Sequence, residues 1–260
     1  MAKVMPMNII VPVKFVPDLV EELKINDAGL NLDPDWVRLK VNEFDEHAIE
    51  EAVLLKERGM GSVTVIALDA DCAEDVLYTA AAKGVDRIIK LCGNFGEGVN
   101  SHALARLLVP VIQELQPGLI LTGVQAHNDL DGPLGPLLAE FLGFPYVGYI
   151  AGVSVSDNQA TLRKEFPGGL IVEMEVSLPA VLGIQAAEQP PRYVAFSKIR
   201  QAAKTTPIGE QSILDVDCSN GPVIGRMYQP ESSHRAEMIQ GDVNAVAEKL
   251  VEILVEAGAI

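Results

Sequence analysis

The stretch L-I-L-T-G-V-Q-A-H-N-D-L-D-G-P-L-G-P-L-L-A-E-F-L-G, running from Leu119 to Gly143, decides how this chain is read. Leu119, Ile120 and Leu121 make a continuous apolar run, the pattern of a strand covered on both faces. A Gly- and Asp-rich loop follows from Gly123 to Gly132, and Leu134 to Leu142 then reads as a helix. Strand, glycine turn and helix in this order can build an anion site. The glycines let backbone approach a ligand, and the helix's free N–H groups and dipole face a phosphate. The same order also serves as an ordinary βα turn, and the segment alone leaves both readings open. Neither G-x-G-x-x-G nor G-x-x-x-x-G-K-[ST] occurs, so the usual dinucleotide fingerprint and the P-loop do not apply.

Upstream of this stretch, strand and helix patterns alternate. Asn8 to Phe15 reads as the first strand, and Leu23 to Leu32 as a hairpin turning at Asn26 to Gly29. Asn42 to Arg58 is an amphipathic helix with Asn42 at its N-cap. Its buried stripe is Phe44, Ala48, Ile49, Ala52, Val53 and Leu55, and Gly59 ends it. Ser62 to Leu68 and Arg87 to Leu91 read as strands, Ala73 to Ala82 and Ser101 to Leu115 as helices, the last kinked at Pro110. This alternation predicts an α/β fold: a Rossmann-like, open, mostly parallel sheet with helices on both faces. After Gly143 the pattern changes. Tyr146 to Val155, Ala160 to Glu165 and Leu170 to Ser177 alternate as an added antiparallel section, and Leu178 to Ile184 is one further strand. Ser197 to Ala203 is a short helix. Thr205 to Glu231 lacks periodicity and reads as an extended arm that leads to an amphipathic helix, Asp242 to Ala257. The expected division is residues 1–204 as the nucleotide-binding domain and 205–260 as an arm and helix packed on a partner.

Composition narrows the function. With 260 residues and 48% hydrophobic content, a full core is within reach. A formal charge of −16 argues against nucleic acid or an anionic membrane as partner. Cys72, Cys92 and Cys218 are scattered, which implies free thiols in a reducing, cytoplasmic setting. His47, His102, His127 and His234 show no metal-ligand spacing. Pro6 and Pro12 interrupt the apolar start, so no signal-peptide core forms, and no apolar run is long enough to span a bilayer. No nucleophile–base motif stands out. Asp45, Glu46, Glu50 and Glu51 read as a solvated helix face. Asp129 and Asp131 sit in the loop, where Asp either shapes turns and caps helices or binds ribose hydroxyls and orders amides. A nucleotide loop without catalytic residues suggests a binding or carrier protein rather than an enzyme.

Several segments together resemble the β subunit of electron-transfer flavoproteins. I-I-V-P-V-K (Ile9 to Lys14) looks like that family's first strand, and V-N-E-F-D-E-H-A-I-E-E-A-V-L-L-K (Val41 to Lys56) like its N-P-F-D-E-x-A-x-E-E-A-x-x-L-K helix. T-A-A-A-K-G-V-D-R (Thr79 to Arg87) is similar to T-A-L-A-M-G-A-D-R, and G-V-Q-A (Gly123 to Ala126) to G-K-Q-A. R-K-E-F-P-G-G-L-I-V-E-M-E-V-S-L-P-A-V (Arg163 to Val181) resembles the family signature, and Pro191-Arg192-Tyr193 and the chain's final helix match as well.

The resemblance implies a heterodimer that carries electrons. Its α subunit holds a redox FAD. This chain would bury AMP, or a second FAD in electron-bifurcating members, and support the flavin domain. The donor would be an acyl-CoA-type dehydrogenase. By matching position, the nucleotide contacts are Val11, Pro12, Asn42, Glu43, Phe44, Leu68, Gly123, Gln125, Ala126, His127, Asn128, Asp129, Asp131, Gly132, Pro133, Leu134 and Gly135. Dehydrogenase recognition falls on Ala187, Glu188, Gln189 and Pro190, with Glu188 where the family has an anchoring Leu, so a different dehydrogenase is implied. The loop acids are shifted by one position, and Leu134-Gly135-Pro136 stands closer to the V-G-P of bifurcating members than to the T-G-Q of AMP binders. A reading from another class is a stand-alone adenine-nucleotide sensor or hydrolase, which predicts a stable monomer with a phosphate motif.

Overall fold

In the computed structural model, residues 7–93, 95, 99–213, 222–230 and 238–260 are described. The chain opens with β1 (Met7–Val13) and a short antiparallel pair, β2 (Phe15–Pro17) with β3 (Leu39–Val41). Alternation then sets in: α1 (Glu43–Glu57), β4 (Gly61–Leu68), α2 (Ala73–Lys83), β5 (Arg87–Cys92), α3 (Ser101–Glu114), β6 (Leu119–Gly123) and α4 (Leu134–Leu142). The antiparallel section is β7 (Tyr146–Ser156), β8 (Gln159–Phe166) and β9 (Leu170–Ser177), followed by β10 (Ala180–Ile184). The last elements are α5 (Phe196–Thr205), β11 (Ile208–Ser212) and α6 (Val243–Glu256).

One nine-stranded sheet runs in the order β11-β5-β4-β1-β6-β10-β7-β8-β9. Its pairs are parallel from β11 to β7, and only β7–β8 and β8–β9 are antiparallel. The pleat explains the apolar runs. Ile9, Val11, Leu119, Leu121 and Leu182 pack on one face beneath α1 and α2, while Ile10, Ile120 and Val181 pack on the other beneath α3 and α4. Both faces are therefore core, and the central strands need apolar residues at every position.

Three expectations need correction. First, Asp45, Glu50 and Glu51 do not lie on a solvated face, because they are 4%, 2% and 0% exposed. Second, Asn42 occupies the N-cap position of α1 but makes no capping bond with its side chain. Third, the arm does not begin at Thr205: Ile208–Ser212 adds to the sheet as β11, paired with β5. Residues 214–221 and 231–237 of the expected arm, with Cys218 and His234, lie outside the described residues. α3 runs through Pro110 without interruption. α6 forms as expected, with Asp242 Oδ1 accepting from the amides of Asn244 and Ala245, yet none of its residues is buried.

Ile120 is fully buried beneath α3 and α4. Ile120→Ala is expected to destabilise the fold by about 3 kcal/mol, from lost transfer energy plus the cavity left behind. Urea unfolding checks it, and a loss under about 1 kcal/mol would mean the site collapses around the gap.

Candidate nucleotide site

The carboxyl ends of β1 and β6 meet the amino ends of α1, α3 and α4, and the side chains between them form one connected set. Asp45, in the first turn of α1, is its centre. Its Oδ2 accepts the Lys14 amide at 2.8 Å, just past the end of β1. Its Oδ1 accepts the Gly123 amide at 2.7 Å, at the end of β6. Burial lifts the Asp45 pKa to about 7, against the pull of these two amides and of Asn42 toward the charged form. The Asn42 side chain donates to the Gln125 carbonyl at 2.9 Å, so it ties down the loop instead of capping its own helix.

Gly123 is required by this closeness. A Cβ there would lie 2.5 Å from Asp45 Oδ1, 2.7 Å from Phe44 Cβ and 2.9 Å from Asn42 Nδ2. Gly135 meets a similar demand, since a Cβ would come within 2.7 Å of both Thr122 Oγ1 and the Tyr146 ring. It lets α4 start directly on the sheet.

Both loop aspartates are engaged inside the protein. Asp129 Oδ1 takes the Lys14 ammonium at 2.5 Å and the Ser101 hydroxyl at 3.3 Å, while its Oδ2 accepts the Ala126 amide at 2.7 Å. Asp131 accepts the amides of Ser101 and His102 at 3.0 and 2.9 Å, and its Oδ2 lies 2.8 Å from His102 Nδ1. It thereby serves the open end of α3. Burial alone would raise the Asp131 pKa, but the bonds from His102 and Ser101 outweigh it and bring the pKa to about 2.

A cleft of about 610 Å³ opens beside this set, between the ends of β1 and β4 and the segment joining β2 to β3. Val13, Phe15, Leu68, Phe95, Val99 and Leu104 give it apolar walls, and Lys14, Asp69 and Asn128 give it polar points. Of the expected contacts, Leu68 and Asn128 line this cleft. Val11 and Pro12 lie within β1, and Val11 is fully buried beneath α1. Gln125 and His127 are exposed on the loop, as is Glu43 at the start of α1. Gly132 bends the loop with a φ of 97°, and Pro133 occupies the N-cap position of α4 with no side-chain cap. Leu134 is buried in the first turn of α4. Thr122 Oγ1, below that turn, has no hydrogen-bond partner among the described residues.

The expected recognition stretch is moored to α1. The Ala187 amide donates to His47 Nδ1 at 3.2 Å, and the Glu188 amide to Glu51 Oε2 at 2.9 Å. The Arg192 amide donates to Glu50 at 2.9 Å, and its guanidinium bridges Glu50 and Glu57. Glu51 Oε1 also accepts the Val153 amide at 3.2 Å, and the Glu188 carboxylate pairs with Arg58. Gln189 and Pro190 are exposed. The buried carboxylates of α1 thus hold the loop that was expected to be recognised.

The sequence reading missed Lys14, Asp45, Glu50, Glu51, Ser101 and His102 as parts of this scaffold. For Asp45 a signal existed: Asp45, Ala48, Ile49 and Ala52 follow the i, i+3, i+4, i+7 spacing of the apolar stripe.

Comparisons with known proteins point in one direction. A family model described as "Electron transfer flavoprotein domain" matches residues 31–215. The electron transfer flavoprotein subunit beta of Methylophilus methylotrophus is 33% identical, with 96% of this chain and 98% of that protein covered. The protein of the same name from Bradyrhizobium diazoefficiens is 30% identical, over 98% of this chain and all of its own length (100%). That from Syntrophomonas wolfei is 37% identical over 71% of this chain and 69% of its own.

Two outcomes follow from the geometry around Asp45. A carboxyl whose folded-state pKa lies above its unfolded value binds its proton more tightly when folded. The stabilisation from Asp45 is therefore full below its ordinary 3.8 and is lost as the pH rises through about 7. The difference in urea midpoint between the natural chain and Asp45→Asn should shrink from pH 4 to pH 7 (roughly the span between those pKa values), whereas a pH-independent difference would contradict it. Gly123→Ala should push α1 off β6 and destabilise the fold by about 1–3 kcal/mol, read by the same unfolding experiment; an unchanged midpoint would show that the contact yields freely.

Proposed function

The chain belongs to the electron transfer flavoprotein β-subunit family, and from that membership we propose that it holds a structural AMP at the Gly123–Gly135 loop while supporting the FAD domain of an α subunit. The heterodimer then accepts electrons from an acyl-CoA-type dehydrogenase and passes them on. Members of this family are electron carriers, and a β subunit implies an α partner. A reducing, cytoplasmic setting agrees with the free thiols of Cys72 and Cys92. Among the described residues no helix is long and apolar enough to cross a membrane.

The observation that supports the nucleotide is an apolar cleft at the carboxyl ends of the parallel strands β1 and β4, which the loop lines at Asn128 before it runs on to the uncapped first turn of α4. Open α/β sheets bind ligands at that edge, and uncapped amides with a positive helix end suit a phosphate. The residues fit the group. Amides of His127 and Asn128 and of the start of α4 would receive the phosphate, while that of Ala126 stays on Asp129, and Val13 and Leu68 would take the base. The loop's own carboxylates are already committed to Lys14, Ser101 and His102, so they do not repel the phosphate as free charges would. The flavin of the partner subunit supplies the redox chemistry. This chain's part is to bind, to orient and to exclude water.

Leu134-Gly135-Pro136 favours a second reading, with FAD in the same site and bifurcating activity. The apolar walls at Phe15 and Phe95 agree with a larger ligand. Denaturing the purified heterodimer and quantifying released nucleotide separates the two. Equal FAD and AMP is the expected result. FAD in twofold excess without AMP would establish the second reading, and no nucleotide beyond the partner's flavin would refute both.

A further inference from the structure

Four consecutive amides fix the chain as it leaves β10. Those of Gln185 and Ala186 donate to the Ile150 carbonyl at 2.9 and 3.3 Å, that of Ala187 to His47 Nδ1 at 3.2 Å, and that of Glu188 to Glu51 Oε2 at 2.9 Å. Further along, the Arg192 amide rests on Glu50. These acceptors differ in kind. A peptide carbonyl accepts at any pH, and a carboxylate accepts when ionised. An imidazole nitrogen accepts only while it carries no proton, and protonation makes it a donor. The bond to Ala187 therefore fixes the proton of a neutral His47 on Nε2.

His47 stands half-buried in the second turn of α1, and Ala187 is half-buried where it meets the ring. Acids flank the ring along the helix. Glu43 lies one turn before it, and Glu50 and Glu51 one turn after. The held segment brings Glu188 and Arg192, and the end of the helix brings Arg58, which pairs with Glu188. The strands packed on α1 (β1, β4, β6, β7 and β10) carry no charged side chain, and their titratable groups are Tyr146 and Tyr149. α2, also packed on α1, brings Glu74, Asp75, Tyr78 and Lys83. An imidazolium at position 47 sets one N–H against another at Ala187, while the acids of α1 draw it toward themselves.

We propose that His47 is the positioning residue of the 187–190 stretch and holds it as a neutral imidazole, so that protonation frees Ala187 while Arg192 stays moored to Glu50 and Glu57. The consequence for electron transfer rests on the donor reading above: a donor meets an ordered stretch near neutral pH and a loosened one in acid. A second acid-sensitive bond lies one residue on, because burial holds the Glu51 carboxyl above its usual range. The experiment separates the two.

The test uses the heterodimer with its α subunit, as the natural protein, H47N and H47F. An asparagine Oδ1 stands on Cγ as the imidazole Nδ1 does and accepts an amide without titrating, whereas phenylalanine keeps a ring without an acceptor. Hydrogen exchange resolved to Ala187, corrected for its intrinsic pH dependence, is read at about pH 7.5 and about pH 5.5, either side of the range in which histidines titrate. Protection should fall about fivefold in acid in the natural protein, as for one lost hydrogen bond. It should stay constant in H47N and be low at both pH values in H47F. Natural protection that is indifferent to pH overturns the proposal. So does an equal fall in H47N, which would place the acid effect on Glu51. The consequence is read from the KM of the heterodimer as electron acceptor from an acyl-CoA dehydrogenase, taken as the ratio of natural protein to H47N so that the dehydrogenase's own titration cancels. That ratio should rise about fivefold in acid at an unchanged kcat ratio. A flat ratio beside the expected exchange result supports the hold and refutes the donor reading of the stretch. A dehydrogenase that reduces none of the proteins refutes the acyl-CoA donor class alone, and exchange at Ala187 still decides the role of His47.

Discussion

One buried carboxylate joins the parts of this molecule that matter most. Asp45 sits in the first turn of a helix, beneath the point where two parallel strands end, and its two oxygens accept one amide from each. Neither amide belongs to a sheet ladder at that point, so without Asp45 both would be stranded away from water. The same contact sets how far β1 and β6 stand apart at their carboxyl ends, and hence the shape of the cleft and the path of the loop. Gly123 follows as a consequence, since no side chain fits between the carboxylate and the strand end.

From there the polar contacts spread outward through α1. Its first turn holds the Gly123–Gly132 loop through Asn42 and Asp45, and its later turns hold the 187–192 segment through His47, Glu50 and Glu51. Each of these carboxylates is buried yet hydrogen-bonded, which is the condition under which burial of charge is tolerated. A single helix therefore places the cleft and the outer loop in one frame, with the sheet as the rigid base.

The strand–helix alternation, the switch to antiparallel strands after Gly143 and the terminal helix were legible because each rests on periodicity or a turn signal that a linear reading sees; the order of strands in the sheet was not. Leu134 to Leu142 is a helix with the same bounds in sequence and structure. The polar scaffold was harder. Glu50 and Glu51 look like solvent-facing acids because charge suggests exposure, and their partners, Arg192 and the amides of Val153 and Glu188, lie more than a hundred residues away in the chain. β11 was missed because Ile208-Gly209-Glu210-Gln211-Ser212 has neither alternation nor an apolar run; as an edge strand it gains its place from pairing with β5. Asp129 and Asp131 were placed in the right loop, but whether they face a ligand or the protein depends on Lys14 and His102, which no spacing rule links to them.

α6 shows a last consequence of the design. Leu250, Val251, Ile253 and Leu254 form an apolar surface that none of the other described residues buries. Such a surface is costly for a protein to keep in water and invites non-specific association. A copy of the chain on its own carries this exposed patch continuously. A copy left in that state is the one offered to aggregation and to proteases, so the apolar face of α6 sets a cost on the lone chain that its well-packed sheet does not offset.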